Sequence, residues 1–218
     1  MQFGPAPGSH ASRPFSRARL AREHGFSLID ILMVVALIGV VAGIAIPMTG
    51  SAVAGQKFKN DSQAITNMVG LAKMRASAAY TRARVRANRA DKTFILERWD
   101  KTAAQWVAET DITPLSSGVT FSFGSIAAPP PNTQTTIDFS PVCRAGIDAA
   151  SAAIANTACV VFNSRGLPVD GGGAPFGGHA IYLTDGIAVA ATTVTATPRI
   201  RRWWTPGRLG AASWREQQ

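Results

Sequence analysis

The run from Phe26 to Ile46 constrains this chain more than any other stretch. It is 21 residues long, and 20 of them carry no charge. As a helix it spans about 31 Å, close to the hydrocarbon thickness of a bilayer. It has no polar face, which argues against a core helix of a soluble domain. Residues 1–25 precede it and are polar and arginine-rich, with Arg13, Arg17, Arg19 and Arg22 against Glu23. That order is the reverse of a secretory signal, which places its apolar segment before a small-residue cleavage site. The positive-inside rule puts residues 1–25 in the cytoplasm and residues after about 50 on the other side.

Asp30 is the exception inside the run. A carboxylate at the centre of a membrane helix costs up to about 3 kcal/mol, less near an end, and marks function by default. It needs a cationic partner. A cut between Gly25 and Phe26 would create one, a free α-amine close to the bilayer edge. Along its own helix Asp30 reaches that amine poorly, but it can meet the amine of a neighbouring copy. Such a pair rewards side-by-side packing of helices.

The stretch GFSLIDILMVVALIGVVAGIAIP, Gly25 to Pro47, resembles the class III leader and first helix of type IV pilins and type II secretion pseudopilins. The resemblance implies cleavage after Gly25 by prepilin peptidase, methylation of the new N-terminal Phe26, and an assembly role for Asp30, which stands where Glu is usual. It also implies a loosened or kinked helix at Pro47, which removes one helical hydrogen bond. The organisation expected is a cleaved leader over 1–25, a transmembrane and assembly helix over 26–48, and its amphipathic continuation over 49–80. A β domain over 81–204 and a basic tail over 205–218 follow.

The chain has 218 residues and a net charge of +9, of which +7 lies in residues 55–218. That length suits one ordinary domain with appendages. A basic domain suits an anionic partner or simply a solvated surface. Ile65, Met68, Val69, Ala72, Ala76 and Ala79 recur at spacings of 3 and 4, an apolar stripe, with Lys57, Lys59, Asp61, Gln63 and Asn67 on the polar side. From Thr81 the period shortens. RARVRA, TFILERW, QWVAE, VTFSFG, TTIDFS, CVVFN, HAIYLTD, IAVAATTVTA and RIRRWW read as strands broken by turn residues. One helix followed by many antiparallel strands gives an α+β fold, and the resemblance implies the pilin-like form of it. Residues 143–158 are alanine-rich and read as a loop or a short helix. Cys143 and Cys159 pair as a disulfide if the domain lies outside the cytoplasm, and stay unpaired if it does not.

Val160 to Gly186 is similar to the strand–turn–strand signature of the H-type pseudopilin and FimT group, with Phe162, Gly166, Pro168 and Gly178 at the matching places. The ending VTATPRIRRWW resembles that group's last strand. FimT-type minor pilins are associated with DNA binding through a Gly-Arg-x-Arg motif there. Here Pro198-Arg199-Ile200-Arg201 keeps both arginines with Pro in place of Gly, so Arg199, Arg201 and Arg202 are the candidate DNA contacts. The first expectation is a minor pseudopilin of a type II secretion system or a type IV pilus. Its partners would be prepilin peptidase, other pilins or pseudopilins, the bacterial inner membrane and a secreted protein. The alternative is a DNA-uptake pilin. Neither needs a cofactor or metal. DGGGAPFGG lacks the Lys-Ser/Thr step of a phosphate loop. His10, His24 and His179 are scattered, Ser164 lies in no nucleophile elbow, and no paired carboxylates suggest an enzyme.

Overall fold

The computed structural model describes residues 27–205 and 214–217; the side chains of residues 44–52 lie outside the described residues. The chain divides into two compact units, one ending at Pro47 and one beginning at Met48. The expected leader, cleavage point and methylated Phe26 fall outside the described residues. Pro47 lies within helix α1, Leu28–Ala78. Among the described residues no helix is long and apolar enough to cross a membrane.

In the first unit, α1 begins at a reciprocal cap. Ser27 Oγ accepts the Ile29 N–H at 3.4 Å. The Asp30 carboxylate accepts the Ser27 N–H at 3.2 Å. This is the capping-box arrangement, with an Asp at the place usually held by Glu or Gln. From Leu28 to Val41 the large apolar side chains are exposed on every side of the helix.

In the second unit, α1 buries Phe58, Asp61, Ser62, Ile65, Val69, Ala72 and Ala76. These positions fall on one stripe of a 3.6-residue helix. Two members differ from expectation. Ala79 is exposed because the helix ends at Ala78. Asp61 is buried rather than on the polar side, because spacing puts it in line with Phe58 and Ile65. Its carboxylate accepts the Ser116 N–H at 2.8 Å and the Ser116 hydroxyl at 3.0 Å.

Two antiparallel sheets face this stripe. The first holds β1 (Ala83–Asn88), β2 (Thr93–Asp100), β3 (Gln105–Ala108), β4 (Thr113–Pro114), β5 (Thr157–Phe162) and β6 (Pro168–Val169), in the order β3-β2-β1-β5-β6, with β4 also on β2. The second holds β7 (His179–Thr184), β8 (Val189–Val194), β9 (Ile200–Thr205) and β10 (Arg215–Gln217), in the order β10-β9-β8-β7. The architecture is thus α+β. Alternation along each strand separates the faces. Ala83, Val85, Ala87, Phe94, Leu96, Ala158, Val160 and Phe162 from the first sheet, and Ile181, Leu183, Ala190 and Val194 from the second, form one core with the helix. Thr66 on α1 also bonds Thr192 on β8 at 2.8 Å.

Each sheet's other face is covered by a loop. Phe123, Ile126, Ile137 and Phe139 pack over Ala180, Tyr182, Val189, Ala191 and Trp203. VTFSFG and TTIDFS therefore differ from the expectation of strands. Their apolar residues pack into clusters instead of pairing in a ladder: Val119 and Phe121 enter the main core, while Phe123, Ile137 and Phe139 cover the outer face of the second sheet. Thr120 makes one bridge to Thr184, and Ser140 donates its N–H to the Ala180 carbonyl at 2.8 Å. Residues 143–158 contain no helix: residues 143–156 form the loop over the first sheet, and Thr157 and Ala158 begin β5. Part of the expected tail is a strand: β10 pairs with β9, Arg215 opposite Trp204.

Candidate functional sites

Cys143 and Cys159 form a disulfide, closing a loop of sequence separation 16. Both are buried with Val161 and Val169, and with Trp106 and Ile154 packed against them. The outer face of β1 anchors this loop. Arg84 stands opposite Glu97 in the β1–β2 register, and its Nε is 2.6 Å from Glu97 Oε2. The guanidinium lies 4.0 Å from the Trp106 ring centroid and donates to the Arg144 carbonyl at 2.6 Å. Arg86 reaches the second Glu97 oxygen at 2.9 Å. Arg82 donates to the Ile147 carbonyl, Arg144 to that of Ser151 and the Trp106 indole to that of Gly146. Burial lowers the Arg84 pKa from its usual value, while the Glu97 charge acts the other way. Arg82, Arg84 and Arg144 each hold the loop through a backbone carbonyl, and Arg86 completes the pairing of Glu97.

The candidate DNA contacts do not form one cluster. Arg199 precedes β9 and is exposed. Within β9, Ile200 and Trp204 pack toward the main core and Trp203 toward the opposite face. Alternation then sends Arg202 one way and Arg201 the other. Arg201 Nε also lies 3.5 Å from Glu216 on β10.

His179 is buried at the start of β7. Its Nε2 is 3.0 Å from the Val169 carbonyl, its Nδ1 has no partner among the described residues, and Phe176 packs edge-on against the ring. Burial pushes its pKa down to about 4, so the ring is neutral near pH 7. Burial likewise pushes the Tyr182 phenol up; its hydroxyl donates to Gln134 at 2.7 Å. Among the described residues no three His, Cys, Asp or Glu side chains gather as metal ligands.

An open groove of about 530 Å³ lies where α1 ends. It is lined by Tyr80 and Arg82 after the helix, Trp99 of β2 and Lys101 just past it, Ile147 of the disulfide loop, Asn163 and Ser164 after β5, and Gly173. The helix terminates in a Schellman-type turn: Thr81 donates to the Ala76 carbonyl and Tyr80 to that of Ser77. Tyr80 occupies the left-handed position of that turn, at φ +48°. Glycine is the default there, and a side chain costs on the order of 1 kcal/mol. Packing does not offset this, since Tyr80 is 76% exposed. Lys101 donates to the Tyr80 carbonyl at 2.7 Å. Sequence reading missed this groove because five separate segments build it. The one local signal is Tyr80-Thr81 directly after the helical pattern, where a terminating Gly is usual.

No family model matches the sequence, and no curated protein matches it. Among solved structures the chain is similar to the minor pseudopilin EpsH from the type 2 secretion system of Vibrio cholerae. The identity is 11% and the TM-score 0.34, with 74% of this chain and 96% of that chain covered. A likeness of that degree assigns no activity or partner to this chain.

Proposed function

We propose that this chain is a structural subunit of a pilus-like fibre, a minor pseudopilin or minor pilin. Residues 1–25 are its leader, removed after Gly25. The apolar helix holds it in the inner membrane before assembly and packs among neighbouring helices afterwards. The β domain then faces the periplasm. The observation that carries this reading is the first part of α1: its large apolar side chains from Leu28 to Val41 are exposed all round, and its acid, Asp30, lies in the first turn. A helix of that kind is stable only where lipid or other apolar helices surround it. The leader motif supports the same reading, because it places a cleavage point immediately before the apolar run.

The test is processing. Co-expressed with a prepilin peptidase, the wild-type chain should shorten by its leader and remain with the membrane fraction. Gly25→Ile should stay at precursor length and also remain with the membrane. A Gly25→Ile chain that shortens like wild type, or a wild-type chain that never does, overturns the reading.

A further inference from the structure

The groove at the end of α1 has three properties that the fold itself does not require. First, among the described residues no acidic side chain lines it, whereas Arg82 and Lys101 bring two cations. Each is tied to a backbone carbonyl by one hydrogen bond, Arg82 to Ile147 and Lys101 to Tyr80. A guanidinium has five N–H donors and an ammonium three, so both keep donors in hand. Second, the polar groups beside them, on Asn163 and Ser164, can also donate, while Tyr80 and Ile147 add apolar surface. Third, Tyr80 is exposed in a backbone conformation that disfavours a side chain. A tyrosine at a glycine position, without packing in its own domain, leaves its ring free for a contact outside it.

We propose that this groove binds an extended acidic peptide segment of a partner protein, with carboxylates at Arg82 and Lys101 and an apolar side chain against Tyr80. The charge of the groove is complementary to that segment, and the rest of the domain is basic as well, which speeds encounter with an acidic partner. A nucleic acid fits less well. Backbone binding needs a track of cations matched to successive phosphates, and the groove supplies two. The inference is independent of fibre assembly: processing at Gly25 and binding in the groove can each fail without the other.

The probe is a fluorescently labelled peptide, acetyl-Ala-Glu-Phe-Glu-Ala-amide, titrated into the full-length chain in detergent and read by polarisation. Its control carries Gln for both Glu. The acidic peptide should bind about tenfold tighter than the control, and Lys101→Gln should remove most of that difference. Tyr80→Gly should weaken peptide binding yet raise the melting temperature, since glycine relieves the left-handed position. That opposite movement separates a binding role from a structural one. Equal affinity for both peptides, or unchanged binding by Lys101→Gln, overturns the proposal. So does a DNA duplex that displaces the peptide and binds more tightly at the same salt concentration.

Discussion

His179 is neutral in the folded domain because burial opposes its charge, and this outweighs the hydrogen bond to the Val169 carbonyl, which favours the charged ring. The folded pKa of about 4 lies below the ordinary 6.5. The unfolded chain therefore binds the proton first. Stability from this residue is complete above about pH 6.5 and falls as the pH drops toward 4, by about 3 kcal/mol in all. Urea unfolding at several pH values should show this slope in the wild type, and His179→Leu should flatten it relative to wild type. Identical slopes would mean that the ring protonates in place. Neither this role nor that of Asp61 was legible from residue type alone. A charge assigns a residue to the solvent side, yet Asp61 falls on the apolar stripe by spacing. Its donor, Ser116, lies on a distant loop that no local pattern announces.

The strands were readable from alternation, because one face of each packs on the helix. The loops were not, because the same alternation appears where a segment packs its apolar side chains without joining a ladder, as in Ile137–Phe139 over a sheet face and Phe121–Phe123 between the core and that face. The disulfide loop shows what such covers depend on. Its ends are joined by Cys143 and Cys159, and its middle is held by Arg82, Arg84 and Trp106. The chain-entropy model gives about 3 kcal/mol for a crosslink of this length. The Cys143→Ser, Cys159→Ser double variant should lose about that much in urea unfolding but keep the loop seated. Arg84→Ala should cost a similar amount, about 3 kcal/mol, by leaving buried Glu97 with Arg86 as its remaining counter-ion. Adding Arg84→Ala to the double variant should expose the loop to limited proteolysis, whereas either change alone should not. Equal cleavage of all variants would show that the guanidinium does not hold the loop.

For the molecule as a whole, the question is what Asp30 does. The folded chain gives it a local task, accepting the Ser27 N–H at the head of α1. The proposed assembly would give it another, pairing with the Phe26 amine of an adjacent subunit once the leader is removed. Caps are worth about 1 kcal/mol and do not need a charge, whereas a pair in a low-dielectric helix bundle does. Two substitutions separate these tasks. Asp30→Asn keeps an oxygen for the Ser27 N–H and removes the charge. Ser27→Ala removes the hydroxyl that accepts the Ile29 N–H and leaves the charge intact. If capping is the whole role, both variants should enter fibres nearly as well as wild type. If the charge seats the helix beside its neighbour, Asp30→Asn should insert normally in the membrane but disappear from sheared fibres, while Ser27→Ala should be recovered in them. The measurement is the ratio of fibre to membrane subunit on one immunoblot. Wild-type incorporation of Asp30→Asn would remove the pairing role and leave the acid as a cap.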